Sequence, residues 1–336
     1  MEKTYDYIII GSGFGGSVSA MRLAEKGYSV LVIEKGKEWK NSDFPKTNWS
    51  LHKFFWFPLI KWFGIQQLSF FRKVFILSGT GVGGGSLVYA NTHLIPEDSF
   101  FENPSWSKFN DWKKVLMPYY ELAKKMLGTT TVPVLHKEDM ILKEIASEMG
   151  REDSFKAVDV GVYFGDTNKP VDPYFGGQGP LRTGCTNCAG CMVGCRYGAK
   201  NTLDKNYLYF AKKNGSEILP ERFVEKIEKT TDGYVIHTTS STSLISKKTK
   251  TFKSKGVVFS AGVLGTTKLL LSQKFIHKTL PDLSDVLGNS VRTNSESLCG
   301  IGLANEKLNH GVAISSTFHP DEHTNIEVVK YSNGSG

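Results

Sequence analysis

Residues 5–36 read YDYIIIGSGFGGSVSAMRLAEKGYSVLVIEKG. Ile8, Ile9 and Ile10 form an unbroken β-branched run, the pattern of a strand buried on both faces of a parallel sheet. Gly11, Gly13 and Gly16 follow at G-x-G-x-x-G spacing. At those points a turn must be tight, a backbone must approach a pyrophosphate closely and a helix must pack onto the strand. The helix is predicted over residues 17–26, with Ala20, Leu23 and Ala24 towards the sheet and Gly27 as its stop. Its first turn offers phosphates unpaired N–H groups and a positive dipole end. A second strand, residues 29–33, delivers Glu34 eighteen residues after Gly16. There a carboxylate accepts hydrogen bonds from a ribose diol and disfavours a 2′-phosphate. A lone glycine triplet is weak evidence, but strand, glycines, helix, strand and acid in this order are strong.

The chain has 336 residues, more than one usual core holds, so two domains are expected. At 40% apolar and 12% aromatic it is globular in composition. The first strand starts almost at once, without a basic and apolar leader, and the cytoplasm is the expected location. The formal charge of +8 is dispersed except in residues 247–255, KKTKTFKSK, read as a solvated hairpin loop. Nucleic acid is not an expected partner.

Residues 51–76 are dense in aromatic side chains but broken by Pro58, Lys61 and Gly64, so they do not read as a membrane span. Two readings are open: a loop-and-helix cover packed on the core, or a hydrophobic lid or shallow membrane-contact surface admitting a lipid-like substrate. Residues 77–94 follow as LSGTGVGGGSLVYANTHL, with five glycines between 79 and 85. Bare backbone there suits a chain passing flush against a planar ring or a phosphate, with Gly85, Ser86 and Asn91 as contacts.

Three local motifs carry a resemblance. GSGFGG, which includes Phe14 and Gly15, then Glu34, and GTGVGGGSLV with its following Asn91 together resemble the glucose-methanol-choline (GMC) oxidoreductases, and within them the cholesterol-oxidase-like branch. Residues 112–128, 172–185, 198–211 and 257–271 resemble that branch in the expected order. The resemblance implies FAD, and places the backbone of Val224 at the adenine.

Read physically, Trp112, Leu116, Tyr119, Ala123 and Leu127 make a helical stripe stopping at Gly128; Ile141, Ile145 and Met149 make another, stopping at Gly150. Both are expected to pack in the core. Leu203, Tyr207 and Phe210 repeat the pattern, with Thr202 as an N-cap. Strands are expected over 217–219, 234–237 and 256–260, and the resemblance makes 297–303, 312–317 and 326–331 look like the first strands of the substrate domain. Ser260, Ala261 and Gly262 turn the buried strand into a helix over 264–272, a second close approach to the dinucleotide.

Cys185, Cys188, Cys191 and Cys195 show C-x₂-C-x₂-C-x₃-C spacing, the iron–sulfur run of bacterial ferredoxins. In that run the fourth cysteine serves a second cluster, and Arg196 stands where proline usually follows. Iron–sulfur ligation, with Cys299 as a further donor, zinc in a cysteine-rich knuckle, and four thiols bracing a glycine-rich loop are all open.

The resemblance implies oxidation of an alcohol to a carbonyl with hydride passing to flavin N5. Its substrate would be a sterol or other bulky apolar alcohol, and its acceptor oxygen or an electron carrier. The family's catalytic histidine lies in an HP-x-G-G segment, whereas His319-Pro320 here continues as Asp321-Glu322. No catalytic residue is assigned; His93 reads either as a flavin neighbour or as a structural histidine.

The expected fold is α/β: a Rossmann-like FAD-binding domain, discontinuous over residues 1–100 and 215–296. A second, mostly antiparallel substrate domain covers 101–214 and 297–336 and is incomplete in this chain. The chain is expected to hold the first two thirds of a longer enzyme. An electron-transfer flavoprotein using the cysteine loop and a stand-alone FAD module are the rivals.

Overall fold

The strand Thr4–Ile10 sits third in a six-stranded sheet, in a computed structural model that describes residues 3–243, 248–292, 294, 296–300 and 306–335. The strand order is Glu217–Leu219, Val30–Ile33, Thr4–Ile10, Thr249–Phe259, Gly233–Ser240, Arg222–Thr230. The first four run parallel and the last two join antiparallel. Ile8 and Ile9 are wholly buried, as a strand covered on both faces requires. Ile8 packs with Tyr5, Ile10, Leu31, Ile33, Val224, Ile227, Ile236 and Leu269 in one hydrophobic cluster of this unit. This is the expected Rossmann-like arrangement.

The helix Phe14–Glu25 buries Gly16, Ser17, Ala20, Met21 and Ala24, while Leu23 is half-buried. It ends as the glycine predicts. Gly27, at φ +83°, donates to Ala24 O and Tyr28 to Leu23 O, the paired closing bonds of a left-handed stop.

The chain divides into two compact units: Met1–Lys40, Ser50–Val88 and Tyr207–Lys307; and Asn41–Trp49, Tyr89–Asn206 and Leu308–Gly336. The breaks thus fall after residues 88, 206 and 307, against 100, 214 and 296 expected from sequence. Residues 41–49 belong to the second unit, which also holds the helices Trp112–Met126 and Lys137–Glu148 and short antiparallel ladders.

Several local expectations are corrected. The stripe Ile141, Ile145, Met149 faces outward, and the helix Lys137–Glu148 buries Leu142 and Ala146 instead. Its inner side also carries Glu138, paired with Lys330, and Asp139, which accepts from Ser315 and Ser316 hydroxyls. That buried polar network fixes the rotation of the helix, which apolar spacing alone leaves open. The helix Trp112–Met126 buries no residue, and Tyr119 is exposed. Residues 249–255 are strand, not loop: Phe252 and Ser254 turn in while Lys253 and Lys255 turn out. Residue 247 lies outside the described residues, as do 301–303 of the expected strand over 297–303; residues 297–300 are not strand.

Besides the one-turn helix Leu51–Phe54, the aromatic segment forms two hairpins, Trp56–Phe57 with Trp62–Phe63 and Gln66–Phe70 with Phe75–Gly79. Ile65 and Trp56 are buried, whereas Phe70, Phe71, Val74 and Phe75 form an exposed tip. No helix among the described residues is long and apolar enough to cross a membrane.

A bulge in Arg222–Thr230, between Val224 and Lys226, is held by one side chain. Buried Gln273 accepts from Ile227 N at 2.8 Å and donates to Glu225 O at 3.0 Å. Gln273→Ala strands two buried backbone groups. It should lower stability by about 2–4 kcal/mol in urea unfolding, and a loss below about 1 kcal/mol would show the bulge to be held otherwise.

Candidate functional site

At the carboxyl end of the central strand, three separated pieces of chain meet backbone to backbone. A Cβ on Gly16 would lie 2.0 Å from Gly11 O, and one on Gly11 2.4 Å from Ser260 O. One on Gly84 would lie 2.7 Å from Gly13 Cα. None of these three neighbours can yield, because each is main chain.

Gly13 differs. It has φ −68°, open to any residue, and a Cβ there would meet no protein atom within 4 Å. Gly13 is the N-cap of Phe14–Glu25, and no side chain caps that helix. Bare backbone, open space and an uncapped dipole end are the requirements of a bound pyrophosphate. Phe14 is exposed beside this turn; a Cβ on Gly15 would lie 3.8 Å from Ser260 Oγ, and one on Gly85 3.8 Å from the Phe14 ring. Ala261 and Gly262, exposed and with Gly262 at φ +71°, open the helix Gly262–Leu271.

Glu34 is buried and already engaged. Its Oε2 accepts from Ser12 N (3.1 Å) and Ser12 Oγ (2.7 Å), and its Oε1 from Gly36 N (2.8 Å). A carboxylate has about four acceptor directions, which leaves one for a ribose hydroxyl. Ser12 Oγ also accepts from Gly83 N at 3.1 Å, tying the first glycine turn to the second. Sequence reading passed over Ser12, although its place inside the G-x-G turn put it beside every backbone that must converge. Ser86 is buried and donates to Gly83 O at 2.7 Å; Val224 is buried beside the bulge.

Asn91 falls in the second unit, wholly buried, at φ +76°. Its amide faces the Cys191 thiol and finds no nitrogen or oxygen partner in the protein. Cys185, Cys188, Cys191 and Cys195 are free thiols lining one pocket. Burial pushes the Cys185 thiol up to about 12 and raises Cys191 too, so as bare thiols they are unreactive. Among the described residues no three His, Cys, Asp or Glu side chains gather as the ligands of a single metal ion, which corrects the zinc reading. Cys299 is exposed and lies in the other unit.

The loop is pinned by two buried cations that sequence reading did not single out. Arg182 donates from Nε to Gly198 O, from Nη1 to Asn201 Oδ1 and from Nη2 to Lys200 O, at 2.5–2.8 Å. Lys200 Nζ donates to Tyr89 O and Cys191 O, both at 2.8 Å. Burial draws the Lys200 pKa down to about 7, against the attraction of Cys191 and Cys195.

His93 is structural. Its Nδ1 pairs with Thr129 Oγ1 at 2.8 Å and its Nε2 with Tyr89 OH at 3.2 Å, and the two rings stack. Burial holds its pKa down near 4, partly offset by Asp159. Between about pH 6.5 and 4 the unfolded chain takes up a proton that the folded one refuses, so stability falls as pH falls through that window. The loss is on the order of 2 kcal/mol. His93→Asn removes this titration; urea unfolding at about pH 7 and pH 5 should show a smaller pH difference than in the unaltered protein. An equal difference would rule His93 out as its source.

Residues 182–280 match the family model described as GMC oxidoreductase, and residues 9–38 one described as an NAD(P)-binding Rossmann-like domain. A cholesterol oxidase of Mycobacterium tuberculosis is 46% identical over 100% of this chain and 60% of its own length. One of Acinetobacter baumannii is 44% identical over 98% of this chain and 62% of its own. The chain therefore spans about 60% of the length of these curated relatives. Among solved structures, an FAD-dependent oxidoreductase from Chaetomium thermophilum superposes with TM-score 0.54 at 17% identity, covering 82% of this chain and 49% of that one; it shows the fold alone. With the family match across its middle and the cholesterol oxidases' identity along its whole length, the chain belongs to the GMC oxidoreductase family, on the cholesterol-oxidase-like branch.

Proposed function

We propose that this chain supplies the FAD site of an enzyme that oxidises an alcohol to a carbonyl, with a sterol or similarly bulky apolar alcohol as substrate and oxygen as acceptor. The observation that carries the cofactor is Gly13: a helix start without a cap, facing space that no protein atom fills. The substrate class rests on the 46% identity to a protein named cholesterol oxidase. When bound, FAD supplies the acceptor for the alcohol's hydride. The residues of this chain bind and orient: Gly11, Gly13, Phe14, Gly15 and Gly16 at the pyrophosphate, Glu34 at the ribose, and Val224 at the adenine. Gly85, Ser86, Ala261 and Gly262 line the remainder. His93, with both ring nitrogens engaged, takes no proton from substrate.

Gly13→Ala separates binding from folding, because an added Cβ meets nothing within 4 Å. The variant should unfold at the same urea concentration as the unaltered apoprotein yet bind FAD at least about 100-fold more weakly, near 2.7 kcal/mol. Unchanged affinity would place the dinucleotide elsewhere. For the reaction, anaerobic cholesterol should bleach the flavin absorbance of the FAD-loaded full-length protein; persistent colour removes the sterol assignment.

The hairpin tip extends the proposal to a peripheral membrane contact. Phe70 is 74% exposed, and Phe71, Val74 and Phe75 are exposed with it, around Arg72 and Lys73. Apolar tips between basic residues suit an anionic lipid interface. Phe70→Ser with Phe71→Ser should weaken sedimentation with anionic vesicles by about tenfold or more, and equal sedimentation would leave the tip without that role.

A further inference from the structure

The loop carrying Cys185, Cys188, Cys191 and Cys195 has little regular structure, yet its four thiols line one pocket. In two-cluster ferredoxins the last cysteine of this spacing serves another cluster; here Cys195 shares the pocket of the other three. The backbone accepts strain to achieve this. Asn187 and Ala189, alternating with the cysteines, are both left-handed at φ 55° and 50°, and Gly194 at φ 85° precedes the last cysteine. Left-handed non-glycine residues cost about 1–3 kcal/mol each and persist where the surroundings impose them, often at ligand sites.

The groups around the sulfurs suit an anion. Asn187 N–H donates to Cys185 Sγ at 3.4 Å, and Ala313 N–H donates to Cys191. The amide of Asn91, wholly buried and without a nitrogen or oxygen partner in the protein, faces the Cys191 thiol. The Lys200 ammonium is buried within electrostatic reach of Cys191 and Cys195. N–H groups directed at sulfur and a fixed nearby charge are the means by which proteins hold and tune iron–sulfur clusters. Among the described residues no three side chains converge on a single-ion geometry, but in a four-iron cluster each thiolate binds its own iron, so the ligands surround a wider centre.

We propose that Cys185, Cys188, Cys191 and Cys195 ligate a [4Fe–4S] cluster. This site stands apart from the flavin reading, since iron and FAD are measured independently and either can fail alone. The test uses the full chain purified without oxygen and reconstituted with ferrous iron and sulfide. It should hold about four irons and four acid-labile sulfides, with visible absorption beyond that of flavin that dithionite bleaches. Cys188→Ser and Cys191→Ser should each lose most of the iron while retaining FAD binding, and Cys299→Ser should retain all of it. Iron without sulfide, or no iron above that of the Cys191→Ser protein, overturns the proposal. Should the serine variants fail to fold, the iron-to-sulfide ratio and the reduced-state paramagnetic spectrum of the unaltered chain decide the matter alone.

Discussion

Backbone touching backbone is the constraint on which the first unit depends. Gly16 against Gly11, Gly11 against Ser260 and Gly84 against Gly13 leave no room for a methyl group, and in each pair the neighbour is peptide. None of these contacts contributes much energy by itself. Their importance is steric: they let the first strand, the second glycine run and the returning strand Thr249–Phe259 close at one point. Hydrogen bonds then lock the closure, with Ser12 bound to Glu34 on one side and to Gly83 on the other. Glu34 is thus a brace before it is a ligand, and its removal would loosen the turn as well as the ribose contact.

The parts of this unit legible in the sequence were those dictated by neighbours along the chain. Ile8 to Ile10 buried, the stop at Gly27 and the strand Glu217–Leu219 all follow from short-range rules of sterics and propensity. What stayed hidden depends on distant partners. The role of Gln273 exists only because a bulge near Val224 lies against it. The lysine-rich run of residues 247–255 is strand from 249 onward because residues 234–239 pair antiparallel with 249–254, and Thr4 and Tyr5 pair parallel with Lys253 and Ser254. Charge pattern alone does not report such pairing.

The helix Lys137–Glu148 shows why periodicity misleads. Spacing at three and four residues fits Ile141, Ile145 and Met149 as well as it fits Leu142 and Ala146, since the two sets differ by about 100° of rotation. The choice was made by Glu138 with Lys330 and by Asp139 with two serines. A buried polar group left unbonded costs more than an exposed isoleucine does, so the polar partners set the inner face and the apolar stripe was left outside.

The second unit extends this principle from one helix to a whole loop. Between residues 161 and 201 there is almost no regular secondary structure to satisfy the backbone, so side chains do it. Asp172 accepts from the N–H groups of Tyr174, Phe175, Gly177 and Gly179, while Arg182 and Lys200 donate to four carbonyls. Charged groups suit that task because each can hold several partners, and hydrogen bonds to charge are stronger than neutral ones. Burying an ammonium still carries a desolvation penalty. For Lys200, two carbonyls offset part of it and the nearby sulfurs offset more as their charge grows. Lys200 favours the thiolate of Cys191, while burial and the neighbouring sulfurs favour the thiols of Cys185 and Cys191. A bound cationic centre removes that conflict, because it takes the protons off the sulfurs and lets their charge face Lys200.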